Sequence, residues 1–177
     1  MSEITVDLTG KGLDKAIAEL EKYRSYVVKD YTERLLDVIT ERMADRIHQG
    51  FNSAEVNVNV YGGSDMANVT VNIIREVGRR RIEAIGKEVA FIEFGAGVYF
   101  NGAAGQSPNP NGASLGFTIG SYGKGHGARQ VWGYYANDDP TDLRLTHGTP
   151  AKMPMTETML WLRAQLLVVA KEVWKFD

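Results

Sequence analysis

The sequence predicts an α+β protein in which a long N-terminal helix and a C-terminal helix pack on a small antiparallel sheet. Three patterns indicate this: helical spacing of apolar residues near both ends, alternating apolar and polar residues between them, and turn-forming residues concentrated in the second half. All five prolines and most of the 19 glycines lie between residues 95 and 154. We therefore expect one domain spanning residues 1–177, with a long Gly/Pro-rich flap at about 97–147.

The first helix is predicted over residues 13–49, which contain neither glycine nor proline. Apolar residues recur there at helical spacing, first at Leu13, Ala16 and Leu20 and then throughout residues 27–47. A continuous helix of this length is about 55 Å long at 1.5 Å per residue. The polar residues 21–24 are a candidate bend, so one long helix and two bent segments both remain open.

Alternation with a period of two predicts strands over residues 55–61 and 69–73, with turn residues between them. We expect these two runs to pair as an antiparallel hairpin. A third strand is predicted at residues 81–85. Residues 87–94 form too short a run for periodicity to decide, so a short helix there remains open.

The flap is predicted to consist mostly of loops and turns. Residues 101–116 are rich in Gly, Asn, Ser and Pro, which favour turns. Aromatic and β-branched residues then predict a second, smaller hairpin within residues 117–145, with residues 120–127 at its tip. The aromatic residues of this hairpin are candidate anchors of a protein interface, namely Trp132, Tyr134 and Tyr135.

The last helix is predicted over residues 156–176, because Glu157 near its start and Lys171 near its end suit the helix dipole. At about 100° per residue one apolar stripe forms, made of Met159, Leu162, Leu166, Val169, Ala170 and Val173. Trp161 and Val168 are predicted to point nearly opposite to this stripe. Since each helix of a two-layer monomer buries one stripe, these two residues are candidate contacts with another subunit.

Composition excludes several classes of function. A formal net charge of −2 at pH 7 provides no overall basic field for nucleic acid or an anionic membrane. The absence of cysteine excludes disulfides, thiolate zinc sites and cysteine nucleophiles, and fits maturation in a reducing compartment. The longest apolar window, residues 159–169, is far shorter than the ~20 residues that cross a bilayer. We expect no export, no membrane contact and assembly in the cytoplasm.

No motif in the chain points to an enzyme, a metal or a cofactor. The three histidines are far apart in sequence. The glycine-rich residues 120–127 lack the Ser or Thr that follows the lysine of a phosphate-binding loop. Asp138, Asp139 and Asp142 are interpreted as a solvated acidic turn. We therefore predict no catalytic residues, no cofactor and no small-molecule substrate.

One run of like charge suits a phosphate backbone, at Arg79, Arg80 and Arg81. In a strand, alternate side chains point to opposite faces, so the three arginines do not form one patch. The favoured interpretation is a solvated sheet edge, where charges discourage strand addition. Contact with DNA or with a partner protein is the alternative.

Two short segments carry a family resemblance. Residues 90–97 read AFIEFGAG, and residues 146–155 read THGTPAKMPM. With a long helix before them, WGYY at residues 132–135 between them and a final helix after them, they resemble the tail-component family of long-tailed bacteriophages, the tail-completion or neck proteins. Two departures stand out: Ala96 replaces the usual Thr, and Met153 and Met155 flank Pro154 where Phe-Met is expected.

The resemblance implies a virion protein of the head-to-tail connection that is assembled in the host cytoplasm. It implies a homo-oligomer, a ring, that binds phage neck and tail proteins and passively contacts DNA in the channel. A tail terminator that caps the tail tube is the alternative within this class. The alternative from another class is a small ligand-binding or hydrolytic domain that uses the glycine-rich flap as a lid.

Overall fold

Helices and strands both occur, with a helix near each end of the chain. The structure, a computed structural model, describes residues 10–97, 107–115, 129–136 and 139–174. The described helices are α1 (Gly10–Asn52), α2 (Val89–Phe94) and α3 (Pro154–Val173). The described strands are β1 (Glu55–Val56), β2 (Val58–Asn59), β3 (Asp65–Met66), β4 (Thr70–Glu76), β5 (Arg79–Ile85), β6 (Ala96–Gly97), β7 (Trp132–Tyr135) and β8 (Leu143–Thr149). The mixed class and both terminal helices are confirmed, whereas much of the predicted flap lies outside the described residues.

α1 is one continuous helix of 43 residues, which decides between the two alternatives left open by the sequence. At 1.5 Å per residue it is about 65 Å long. Its C-terminal part enters the main apolar cluster, where Ile47 and Phe51 are fully buried. Near its N-terminus Ala16 is also buried, whereas Ile17 and Leu20 are exposed.

The first predicted hairpin is wrong in its pairing. β4 does not pair with residues 55–61; it pairs with β5 in a regular antiparallel ladder from Thr70↔Ile85 to Glu76↔Arg79. The earlier run is divided in two, because Asn57 adopts a left-handed conformation with φ of 49°. β1 on one side of Asn57 pairs with β3, and β2 on the other side pairs with β8. Alternation of residue types predicted the extended conformation but could not reveal this break.

β8 is the central strand of the largest sheet. β2 pairs with one edge of β8, while β6 and β7 pair with it through Thr149↔Ala96 and Thr146↔Trp132. β7 and β8 form a hairpin that turns between Ala136 and Asp142, where the N–H of Ala136 donates to the carbonyl of Asp142 at 3.0 Å. It differs from the second hairpin predicted from the sequence, whose predicted tip, residues 120–127, lies outside the described residues.

The core lies where the end of α1 meets β1 and α2. α2 settles the segment at residues 87–94, which the sequence left open, as a short helix. The buried apolar residues of the core are Ile47, Phe51, Ala54, Val56, Val69 and Ile92. Full burial of one large aliphatic or aromatic side chain stabilises a fold by about 1.5 to 3 kcal/mol. This small cluster fixes the positions of α1, α2 and the β4–β5 hairpin relative to one another.

Arg80 attaches the β4–β5 hairpin to α1. Its guanidinium lies 2.8 Å from the Glu33 carboxylate and 2.7 Å from that of Asp37, and its side chain is 9% exposed. Hydrogen bonds from Arg80 are the main cause that lowers the pKa of both carboxyl groups. The prediction of a solvated edge is therefore wrong for Arg80, because strand alternation turns it towards α1 while Arg79 and Arg81 remain exposed.

Replacing Arg80 by methionine is expected to destabilise the protein at neutral pH and to make its stability less sensitive to acid. The ordinary pKa values of the Glu33 and Asp37 carboxyl groups are 4.5 and 3.8, and Arg80 lowers both in the folded state. The stabilisation by Arg80 is therefore present above the ordinary values and is lost as the pH falls through the lower folded-state values. Urea unfolding of wild type and Arg80→Met between about pH 7 and pH 3 measures this effect. The difference between their free energies of unfolding should narrow as the pH falls. Arg81→Met is the matched control, with little difference at any pH. If the difference in free energy of unfolding between wild type and Arg80→Met does not change with pH, this role of Arg80 is contradicted.

α3 packs on α1 through a face that only partly coincides with the predicted stripe. Val169 of the stripe is buried together with Pro154 and Thr158, whereas Met159 and Leu166 of the stripe are exposed. Trp161 does not point away from the body; it is half-buried, with Arg46 of α1 4.8 Å from its ring centre. Apolar residues also lie outside the predicted stripe, so periodicity alone did not determine which side of it is buried against α1.

Candidate functional site

Glu93 caps α3 from a distant part of the chain. This carboxylate is in α2 and is only 5% exposed. Its two oxygens accept hydrogen bonds from the backbone N–H groups of Met155 and Thr156, each at 2.9 Å. These N–H groups lie in the first turn of α3, where a helix leaves donors unpaired and carries partial positive charge. Glu93 therefore supplies both the hydrogen bonds and the charge that the start of α3 needs.

Further hydrogen bonds extend the cap into a buried junction. The Asn109 amide donates to Glu93 at 3.0 Å and to the Thr156 hydroxyl at 2.9 Å. The N–H of Lys152 donates to the carbonyl of Ile92 at 2.8 Å. The two segments that carry the family resemblance, residues 90–97 and 146–155, thus meet at this junction. Sequence reasoning missed Glu93; the available signal was a carboxylate within the apolar run of α2.

Removal of the Glu93 carboxylate is expected to destabilise the protein without a change of fold. Glu93→Ala leaves two helix N–H groups and the Asn109 amide without their acceptor, and each unsatisfied buried group costs about 1 to 3 kcal/mol. Denaturant unfolding measures the loss. Glu157→Ala, which removes an exposed carboxylate in the same helical turn, is the control and should cost less than about 1 kcal/mol. Equal losses for the two variants would show that Glu93 has no special role.

Two glycines make room for Trp132. Gly97 of β6 and Gly148 of β8 have φ of 70° and 108°, and a Cβ at either position would overlap the Trp132 ring. The indole therefore lies across both strands and is half-buried. The sequence favoured Trp132 as an exposed interface anchor, but its ring packs on the sheet of its own chain. Tyr135, on the same strand, is the more exposed aromatic side chain.

Trp132→Ala is expected to lower the stability of the isolated protein by about 2 kcal/mol or more, because the ring fills the space above two glycines. Tyr135→Ala is the matched control, since an exposed substitution commonly changes stability by less than about 0.5 kcal/mol. Thermal and denaturant unfolding of both variants test this difference. If Trp132→Ala unfolds with the same free energy as wild type, the packing role of Trp132 is contradicted and its prediction as an interface anchor is favoured.

Asp65 connects three elements through one carboxylate. It accepts hydrogen bonds from the Tyr134 hydroxyl at 2.5 Å, from Arg144 at 3.1 Å and from the Asn57 amide at 3.3 Å. Burial and then the hydrogen bond to Asp65 raise the pKa of Tyr134 to about 12. The phenol therefore keeps its proton at neutral pH and acts as a donor. The cluster joins β3 to the β7–β8 hairpin.

A cleft of about 730 Å³ opens beside this cluster. Its lining combines Asp65, Tyr134 and Arg144 with apolar groups from Met66 and Ile85. Lys87 and Glu88 also line it, so its charged groups are of both signs. The volume is within the range of small-molecule sites, about 300 to 1,000 Å³. The cleft is therefore a candidate binding site, although the balanced charges favour no single ligand class.

The remaining predicted site residues do not form one site. Val168 is exposed on α3, on a different element from Tyr135. Arg81 pairs with Glu83 at 3.1 Å, and Arg79 is exposed. Since Arg80 is held by α1, the arginine run is divided between two faces of β5.

Among the residues that the structure describes, no group of three or more potential ligands is arranged to hold a metal ion. No helix among these residues has the length and hydropathy to cross a membrane.

Asp139 accepts hydrogen bonds from the N–H and the hydroxyl of Thr141, which lowers the pKa of its carboxyl group. That bonding is typical of a solvated turn, whereas Asp138 lies outside the described residues.

Three comparisons with known proteins were made, against family models, curated proteins and solved structures, and none found a match. The features of the chain that bear on function are therefore its own motifs, the junction at Glu93 and the surfaces that its helices expose.

Proposed function

We propose that this chain is a virion protein of the head-to-tail connection of long-tailed bacteriophages, a neck or tail-completion protein. It acts by assembly into a homo-oligomeric ring and by binding phage neck and tail proteins, and it is assembled in the host cytoplasm. The observation that carries the proposal is the junction at Glu93, because the two segments that resemble the family form one structural unit there.

The exposed apolar surface supports a role in assembly. Large apolar side chains are exposed on α1 and α3, among them Ile17, Leu20, Tyr23, Tyr26, Val28, Met159, Leu160, Leu166, Leu167 and Trp174. Exposed apolar side chains that form a patch commonly mark a protein–protein contact. The proposed mechanism is therefore binding, with no bond made or broken.

Contact with DNA in the channel is proposed to be passive. The net charge of −2 provides no strong attraction for a phosphate backbone. Arg80 is occupied by Glu33 and Asp37. Arg79 and Arg81 are the members of the run that remain exposed for such a contact.

Deletion of the gene from the phage is expected to abolish infectious particles while DNA-filled heads and finished tails accumulate separately. Electron microscopy of lysates is the measurement. Abnormally long tails would instead support the alternative role, a tail terminator. Normally joined virions would reject both roles. A deletion complemented with wild-type protein in trans is the control for effects on neighbouring genes.

A small ligand-binding function is the second candidate, and the cleft beside Asp65 is the observation that favours it. Most of the glycine-rich segment suggested as its lid lies outside the described residues. A reproducible thermal shift of the purified protein in a small-molecule screen, lost in Arg144→Ala, would support this function over assembly.

A further inference from the structure

Residues 107–112 form a turn that is anchored in the junction at Glu93. The side chain of Asn109 carries this anchor, and the residue is only 3% exposed. Its amide donates to the Glu93 carboxylate at 3.0 Å and to the Thr156 hydroxyl at 2.9 Å. We call residues 107–112 the anchored turn, because these hydrogen bonds hold it on α2 and α3.

Ser107 is a second anchor at the start of this turn. Its hydroxyl donates to the carbonyl of Phe94 at 2.5 Å and accepts from the N–H of Asn109 at 3.2 Å. Gly112 closes the turn against the same residue, since a Cβ on Gly112 would lie 2.4 Å from the Cβ of Ser107. Packing therefore demands a glycine directly after Asn111.

The backbone around Asn111 is held by Asn109. The N–H of Asn111 donates to the side-chain oxygen of Asn109 at 3.0 Å, which is an Asx turn. The N–H of Gly112 donates to the backbone carbonyl of Asn109 at 2.8 Å. The side chain of Asn111, by contrast, is exposed to water.

Asn111 and Gly112 form an Asn–Gly pair, in which the asparagine amide is chemically labile. After its N–H loses a proton to base, the glycine nitrogen can attack Cγ of the asparagine, because glycine has no Cβ to hinder a close approach. A nitrogen–carbon bond forms, the side-chain amide takes up a proton, and its carbon–nitrogen bond breaks to release ammonia. Water then opens the resulting succinimide to aspartate or isoaspartate.

We propose that Asn111 is a deamidation site and that the junction at Glu93 controls its reaction. In the closed turn the N–H of Gly112 is hydrogen-bonded to Asn109 and keeps its proton. Attack on the Asn111 side chain requires the backbone to rotate, which breaks that hydrogen bond. The rotation becomes free when Asn109 leaves Glu93 and Thr156. This inference goes beyond the proposed function and does not depend on it.

Deamidation loosens the junction in turn. Isoaspartate continues the chain through its side-chain carbon, so it adds one atom to the backbone of a turn that is closely packed at Ser107 and Gly112. The longer backbone no longer fits both hydrogen bonds to Asn109. Glu93 then loses the Asn109 amide as a donor, and the cap of α3 is weakened.

The rate of deamidation at Asn111 tests the control by the junction. Wild type is incubated at mildly alkaline pH, either folded or unfolded in urea, and peptide mapping by mass spectrometry follows the conversion. The mapping separates Asn111 from the other Asn–Gly pair of the chain, Asn101–Gly102. Asn111 should react at least about tenfold more slowly in the folded chain, because the reaction there waits for local opening.

Asn109→Ala opens the anchored turn and should make Asn111 of the folded protein react roughly tenfold faster than in wild type. The factor corresponds to the loss of a hydrogen bond to a charged partner. If circular dichroism shows that Asn109→Ala does not fold, Ser107→Ala takes its place. That variant removes the second anchor and should also accelerate the reaction.

Arg80→Met is the matched control, because it destabilises the domain at the β4–β5 hairpin and leaves the anchored turn intact. Asn111 should react in it at close to the wild-type rate. Four results would overturn the proposal: no conversion in the unfolded chain, equal rates in folded and unfolded wild type, no acceleration in the folded turn variant, or an equal acceleration in Arg80→Met.

The effect of the modification on the junction is measured on separated products. Deamidated protein carries one more negative charge and is resolved by anion exchange. The isoaspartate form should unfold at a lower denaturant concentration than wild type. Asn111→Asp has the same charge with an ordinary backbone, and should unfold close to wild type. Equal unfolding of all three proteins would overturn the link from Asn111 back to the junction.

Discussion

The position of α3 depends on the carboxylate of Glu93. Burying a charge costs several kcal/mol unless donors surround it, and here two helix N–H groups and the Asn109 amide do so. No side chain in the residue before α3 caps the helix. The cap comes instead from α2, about sixty residues earlier in the chain, so the start of α3 and the apolar core around Ile92 are fixed together.

Charged and apolar contacts both attach neighbouring elements to α1. The β4–β5 hairpin is attached through Arg80, whose two carboxylate partners lie one helical turn apart at Glu33 and Asp37. α3 is attached through close packing of Pro154 at Gly50, the contact of Arg46 with the Trp161 ring and an ion pair between Arg42 and Glu172. One long helix thereby organises the sheet on one side and the second helix on another.

This architecture has a consequence for function. Buried contacts are concentrated at the end of α1, around Phe51, Ile92 and the junction at Glu93. Much of the exposed apolar surface of the described residues is on α1 and α3. This arrangement suits the proposed role in assembly, because exposed apolar surface can bind a neighbouring protein. The cleft beside Asp65 is lined largely by strand residues, apart from these helix surfaces.

The sequence by itself determined the local elements: a long α1, a strand at 132–135, a helix at the C-terminus and strand runs near 55 and 70. Periodicity and the positions of Gly and Pro act within a few residues, so they suffice for these elements. Only the tertiary structure decided the pairing of β1 and β2 with different sheets, the buried face of α3, the packing of Trp132 on two glycines and the roles of Arg80 and Glu93. Each of these depends on partners that are not neighbours in sequence, from about ten residues away for β1 and β3 to about ninety for β2 and β8. The energy of burying a charge or a ring is set by those partners.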